Sequence, residues 1–247
     1  MSPLRDKVAL VTGGSRGIGR AIVHRLARDG AAVMFSYERN EQAADKVVAE
    51  VQEFGGRAVA VRADQGSLAD VERLVAAAVE QFDGLDILVN NAGIAPRELV
   101  TELTEEQVDR AIAVNMKGPM FAMRHAGQIL RDGGRIVNIS TLNTILPVPT
   151  LAAYTATKAA LEQLSKIAAR ELGSRGITVN TVSPAATDTE LLRETNTQEG
   201  LDLAVSMTAL GRLGDPTDIA DVVAFLAGPD SRWITGQNLL ATGGFAV

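Results

Sequence analysis

KVALVTGGSRGIG, residues 7–19, decides the fold. Its first residues form a short apolar run of strand length, and four glycines follow, of which Gly13, Gly17 and Gly19 set the spacing. From Ile18 to Asp29 the apolar positions then recur at helical spacing. The spacing is G-x-x-x-G-x-G rather than G-x-G-x-x-G, but the physical demands are the same. Gly13 allows a sharp turn, Gly17 lets backbone approach a pyrophosphate, and Gly19 lets the helix pack close to the strand. The helix N-terminus then turns its amides and its dipole toward an anion. A phosphate-hydrolysing loop would need Gly-Lys-Ser/Thr at this point, and the chain has Gly19-Arg20-Ala21.

The same alternation continues along the chain. AAVMFS, AVAVRAD, DILVNNAG, RIVNIS, ITVNTVSP and QNLLA read as six further strands. Helical periods fall at 41–54, at 67–82 behind a Ser67 cap, at 105–130, at 151–172 and at 216–226. Strands without polar alternation are buried on both faces, which implies parallel pairing under helices on either side. The expectation is an α/β Rossmann fold: a doubly wound, seven-stranded parallel sheet in a single domain over 1–247. The irregular segment 183–214 is expected to cap the site.

The chain has 247 residues, 46% of them hydrophobic, a net charge of -6 and no cysteine. That acidic balance, without basic runs, argues against nucleic acid and anionic membrane as partners. Disulfides and thiolate-bound metals are excluded, and no secretory leader or membrane span is legible, so a cytoplasmic protein is expected. His24 and His125 stand alone, and no metal site is expected.

YTATK, residues 154–158, places one of only two tyrosines four residues before a lysine. On a helix both side chains share a face. An ammonium beside a phenol lowers the phenol's pKa, so that it can pass a proton to a ketone or take one from an alcohol.

Together with the glycine loop, the NNAG turn at 90–93, Asn115, Ser140-Thr141 and YTATK follow the order and spacing of one family. The chain resembles the short-chain dehydrogenases/reductases from end to end. The resemblance implies hydride transfer between a nicotinamide cofactor and a carbonyl or alcohol. It makes Tyr154 the general acid/base and Lys158 its partner and the ribose ligand, with Asn115 shaping a helix kink and holding a relay water. The hydroxyl 13 residues before the tyrosine would bind the substrate oxygen. Here that residue is Thr141, with Ser140 the alternative. The cofactor would run along Gly13, Ser15, Arg16, Gly17, Ile18 and Gly19, then past Ser36, Tyr37 and Arg39 and past Asp64 near the adenine. Asn91, Ala92, Gly93, Pro184, Thr187 and Thr189 would complete its bed, with Asn90 and Gly93 on the ribose side. Ala185 stands where the family usually has glycine, which bears on the backbone path there.

Tyr37 occupies the position where NAD-specific enzymes carry an acid, while Arg16 and Arg39 could pair with a 2′-phosphate. NADP(H) is therefore expected. A register slip would instead put Glu38 on the ribose and favour NAD. Leu142, Asn143, Ile145, Leu146, Val148 and Pro96 would wall the substrate, and the expected activity is a general carbonyl reductase on an apolar ketone or its secondary alcohol. The alternatives are a 3-oxoacyl-[acyl-carrier-protein] reductase, for which Arg175 matches one carrier-binding arginine and Asp132 replaces the other, and a non-catalytic NADP(H)-binding sensor. Family resemblance also implies a homotetramer built on the helices at 105–130 and 151–172.

Overall fold

The computed structural model of the chain describes residues 2–245. Seven parallel strands form one sheet in the order β3-β2-β1-β4-β5-β6-β7. They are β1 (Val8–Val11), β2 (Ala32–Tyr37), β3 (Arg57–Arg62), β4 (Ile87–Asn90), β5 (Arg135–Ile139), β6 (Thr178–Pro184) and β7 (Asn238–Ala241). The five inner strands are almost wholly buried, β6 even at its Thr178, Asn180, Thr181 and Ser183 side chains, whereas edge strands β3 and β7 are partly exposed.

Period-two alternation divides the core into two layers. On β1, Ala9 and Val11 pack with Ile22, Val23 and Leu26 of α1 (Gly17–Arg28), Val47 of α2 (Glu41–Glu53) and Val223 of α9 (Pro216–Ala227). Val8 and Leu10 face the other way, toward Leu74 of α3 (Leu68–Phe82), Ala122 and Ala126 of α5 (Gly118–Ile129) and Leu161 of α6 (Ala152–Leu172). Full burial of such side chains contributes about 1.5–3 kcal/mol each, so both layers are needed to hold the sheet.

Two expectations need correction, and the question raised by Ala185 has an answer. The helical period at 105–130 is α4 (Glu105–Ile112) followed by a π-helical turn, Ala113–Lys117, and then α5, with Asn115 inside the turn. The segment 183–214 begins in β6, because Ser183 and Pro184 still pair with Leu240 and Ala241. Its remainder carries two short helices, α7 (Glu190–Thr195) and α8 (Gln198–Ser206), capped by Thr189 and Thr197. Ala185 lies outside the left-handed region, so the backbone there does not require the family's glycine.

The chain reverses direction across the sheet between β1 and β4. Loops leaving the carboxyl ends of these strands diverge there and open a crevice, the usual ligand position in this architecture.

Candidate active site and cofactor cleft

The glycine loop is stitched to the β4 loop rather than free. The Thr12 hydroxyl accepts from the amides of Asn91 and Ala92, both at 3.0 Å. The Asn91 side chain donates to the carbonyls of Thr12 and Gly13 at 2.9 and 3.0 Å. Gly13 turns with φ +67°, and a Cβ on Gly19 would come within 2.0 Å of the Gly13 carbonyl oxygen. Gly19 is therefore needed for packing against the turn itself. No side chain caps α1 and its first turn holds no acid, unlike α2, α3, α4, α7, α8 and α9, which all have side-chain caps. An uncapped N-terminus beside a glycine turn suits a phosphate.

The crevice is a cleft of about 860 Å³. Gly13, Ser15, Arg16, Gly17, Ile18, Gly19, Ser36, Tyr37, Arg39 and Asp64 line one arm. Asn91, Ala92, Gly93, Ser140, Thr141, Tyr154, Lys158, Pro184, Thr187 and Thr189 line the rest. All the expected cofactor residues thus face one cavity. Asn115 lies fully buried behind it.

Tyr154 and Lys158 share the inner face of α6. Lys158 is buried, and its ammonium donates to the carbonyl of Ile139 at 2.7 Å and lies 5.9 Å from the centre of the Tyr154 ring. Burial lowers the Lys158 pKa to about 8. Burial also pushes the Tyr154 phenol above its ordinary value, while the nearby Thr141 hydroxyl pulls it down. This corrects the expected ordering: in this geometry the favourable influence on the phenolate comes from Thr141, because the ammonium is turned to Ile139.

The two hydroxyls at 140 and 141 separate as strand alternation demands. Thr141 faces Tyr154. Ser140 also lines the cleft but donates its hydroxyl to Glu162 Oε1 at 2.7 Å. Asn115 spends its amide on structure. It accepts from Ile94 N at 2.9 Å and donates to Ile94 O at 2.8 Å and to the Thr157 hydroxyl at 3.1 Å. Its side chain pins the β4 loop to α6 with both amide hydrogens, while Oδ1 accepts a single bond and keeps one lone pair. Asn90 is buried too: it donates to Asn138 at 2.7 Å and braces β4 on β5, leaving Gly93 alone of that pair in the cleft. A Cβ at Gly93 would lie 3.3 Å from both Lys158 Nζ and Asn115 Oδ1.

Several cofactor-bed side chains also have structural tasks. The Ser36 hydroxyl accepts from Gly13 N at 3.0 Å. Thr189 caps α7, and Thr187 donates to the Ala185 carbonyl. Asp64 is held by the Arg110 guanidinium at 2.9 Å through both oxygens, and that pairing keeps its carboxyl below the usual range. Arg110 also reaches Glu38 at 3.3 Å, and Arg39 pairs with the same carboxylate at 3.2 Å. Arg16 extends over the cleft to Glu190 at 3.5 Å and Glu194 at 4.0 Å. Sequence reasoning missed Arg110, Glu162 and Gln65, which lines the cleft and donates to the Ser36 hydroxyl at 3.3 Å. Glu162 was legible as the next member of the four-residue series Tyr154, Lys158, Glu162, whereas nothing local marks Arg110 or Gln65.

Among the described residues no group of three His, Cys, Asp or Glu side chains could hold a metal, and no helix is long and apolar enough to cross a membrane.

The chain belongs to the short-chain dehydrogenase/reductase family of oxidoreductases. A family model described as enoyl-(acyl carrier protein) reductase matches residues 13–246. An uncharacterised oxidoreductase of Methylorubrum extorquens is 45% identical, covering 99% of each chain. A hydroxynaphthalene reductase-like protein of Metarhizium brunneum is 39% identical over 98% of this chain and 95% of its own length. The structure of a short-chain dehydrogenase from Burkholderia cenocepacia in complex with NADP superposes with a TM-score of 0.95 at 41% identity, covering 99% of this chain and all of the other.

Proposed function

We propose that the chain is a single catalytic unit that reduces an apolar ketone, or oxidises the matching secondary alcohol, with NADP(H). The observation that carries this reading is the meeting of the Tyr154 phenol and the Thr141 hydroxyl above the buried Lys158 ammonium, in the cleft that begins at the uncapped α1 N-terminus.

The cleft fits a dinucleotide. Gly13, Gly17 and the α1 amides suit its pyrophosphate, Lys158 its ribose, and Pro184, Thr187 and Thr189 the far end. A reduced nicotinamide held there supplies the hydride. The protein's part is the proton and the geometry. Thr141 hydrogen-bonds the carbonyl oxygen, and Tyr154 delivers its proton to that oxygen as negative charge develops there. Lys158, held on the Ile139 carbonyl, keeps the ribose in place, and the Thr141 hydroxyl eases the phenolate left behind. In the alcohol direction Tyr154 takes the proton back.

Tyr37 supports NADP(H), since it is an uncharged phenol where an acid would select NAD. Glu38, the rival ribose ligand, is already neutralised by Arg39 and Arg110. Arg16 and Arg39 are exposed and able to turn to a 2′-phosphate. The substrate wall of Leu142, Leu146, Val148, Leu151, Leu191 and Leu192 favours an apolar ketone, and the hydroxynaphthalene-type name of a relative points the same way. The carrier-protein alternative is weaker. Arg175 pairs with Asp132 at 2.8 Å and donates to the Gly127 carbonyl at 2.6 Å, which occupies the one matching arginine. We also read the protein as a cytoplasmic homotetramer joined through α5 and α6, whose Met120, Ile129 and Ile167 are exposed.

The test is turnover of a panel of free ketones and a carrier-bound β-ketoacyl group with NADPH and with NADH. Faster reduction of free apolar ketones with NADPH supports the reading. Exclusive use of the carrier-bound group, or preference for NADH, counts against it.

A further inference from the structure

We propose that Glu162 is a positioning residue that ties the helix carrying Tyr154 and Lys158 to the turn carrying Thr141. This rests on the reading of Tyr154 and Thr141 given above.

Glu162 lies four residues after Lys158 and eight after Tyr154, on the same face of α6. Its Oε1 accepts from the Ser140 hydroxyl at 2.7 Å and from the Thr144 hydroxyl at 2.8 Å, with the Ser183 hydroxyl of β6 at 3.5 Å. Ser140 precedes Thr141, and Thr144 closes the short 3₁₀ turn Leu142–Thr144 that follows it. Thr144 also contacts the Thr141 carbonyl oxygen at 3.0 Å, and the Thr141 hydroxyl accepts from Asn143 N at 3.3 Å. One carboxylate oxygen thus grips the chain on both sides of Thr141.

Among the described residues no lysine, arginine or histidine lies within ion-pair distance of Glu162, and the Lys158 ammonium is committed to Ile139. A half-buried carboxylate satisfied by hydroxyls alone costs desolvation that a leucine would avoid. Hydroxyl donors to a carboxylate are short and strong, which suits a rigid link. The link keeps the Thr141 hydroxyl at the phenol, where a displacement of about 1 Å costs up to about a hundred-fold in rate. It also gives Ser140 a task that needs no contact with substrate.

The experiment compares Glu162→Leu and Glu162→Gln with the parent, reading kcat and KM for a ketone, the NADPH dissociation constant by fluorescence, and the pH profile. Glu162 does not line the cleft, so Glu162→Leu is expected to lower kcat about ten- to a hundred-fold with cofactor affinity within about two-fold. As Thr141 drifts from the phenol, the alkaline limb of the profile moves to higher pH. Gln keeps the accepting oxygen and restores most of the rate. If Glu162→Leu does not fold, Ser140→Ala combined with Thr144→Val reads the same link from its other end. Unchanged kcat, equal loss with Gln and Leu, or cofactor affinity falling in step with kcat overturns the proposal. Inactive Tyr154→Phe with an unimpaired Glu162→Leu would sink this inference alone, whereas an active Tyr154→Phe would sink the reading beneath it.

Discussion

Lys158 directs its ammonium at the carbonyl oxygen of Ile139, 2.7 Å away at the end of β5, rather than at the phenol of Tyr154. The sheet thereby holds the lysine that the catalytic helix presents. The buried cation has a titration of its own, near pH 8.

That titration makes a stability prediction. In the folded chain the Lys158 pKa is depressed from 10.5 to about 8, so below pH 8 folding retains a desolvated charge, at a cost of no more than about 3 kcal/mol. Between pH 8 and 10.5 the unfolded chain binds the proton that the folded chain has lost, and the parent gains stability as pH rises. Lys158→Met lacks this gain. It is expected to be inactive yet at least as stable as the parent at pH 7, losing that advantage between pH 8 and 10.5. Thermal melts across this range check it.

Thr141 and Ser140 are separable. Thr141→Val removes the hydroxyl that lowers the Tyr154 pKa, so alcohol oxidation, which needs the phenolate, shifts its rise to higher pH. Its kcat falls about a hundred-fold, and Thr141→Ser recovers most of it. Ser140→Ala, which acts only through Glu162, is expected to cost less than about ten-fold. Steady-state profiles of the three variants decide this.

Cofactor choice is tested on the adenosine arm. Arg39→Ala is expected to weaken NADPH binding about ten-fold while leaving NADH nearly unchanged, and Arg16→Ala to do likewise. Glu38→Gln removes a carboxylate from the 2′-phosphate side and is expected to tighten NADPH. Fluorescence titration with both cofactors measures all three. A parent that prefers NADH contradicts the two-arginine reading.

Oligomerisation has its own test. Ile167 of α6 is 53% exposed, as an interface residue of the proposed tetramer would be in the isolated chain. The parent is expected to elute near four times 26.0 kDa, and Ile167→Glu to elute as smaller species. Elution of the parent near one subunit mass contradicts the tetramer.

The sheet was legible because five strands are buried on both faces and most of them open on apolar runs, although β5 and β6 also bury Asn138, Asn180 and Thr181. Tyr154 and Lys158 were legible because a helix turns a four-residue spacing into a shared face. Other features depend on contacts between segments far apart in the chain. Arg110 meets Asp64 only because α4 passes the loop after β3, and Arg16 meets Glu190 only because the cap folds back over α1. The π turn at Ala113–Lys117 has no local marker either, since residues on both sides of Asn115 keep a helical period. Strand alternation gives Thr141 and Ser140 different directions but could not supply Ser140 with its partner on α6.

The central claim is that the Tyr154 phenol moves the proton. Its most direct test is Tyr154→Phe, comparing kcat on the best ketone with NADPH affinity for the same preparation. The account predicts that kcat falls at least about a thousand-fold while the cofactor still binds within about three-fold of the parent. Turnover within about ten-fold of the parent contradicts it.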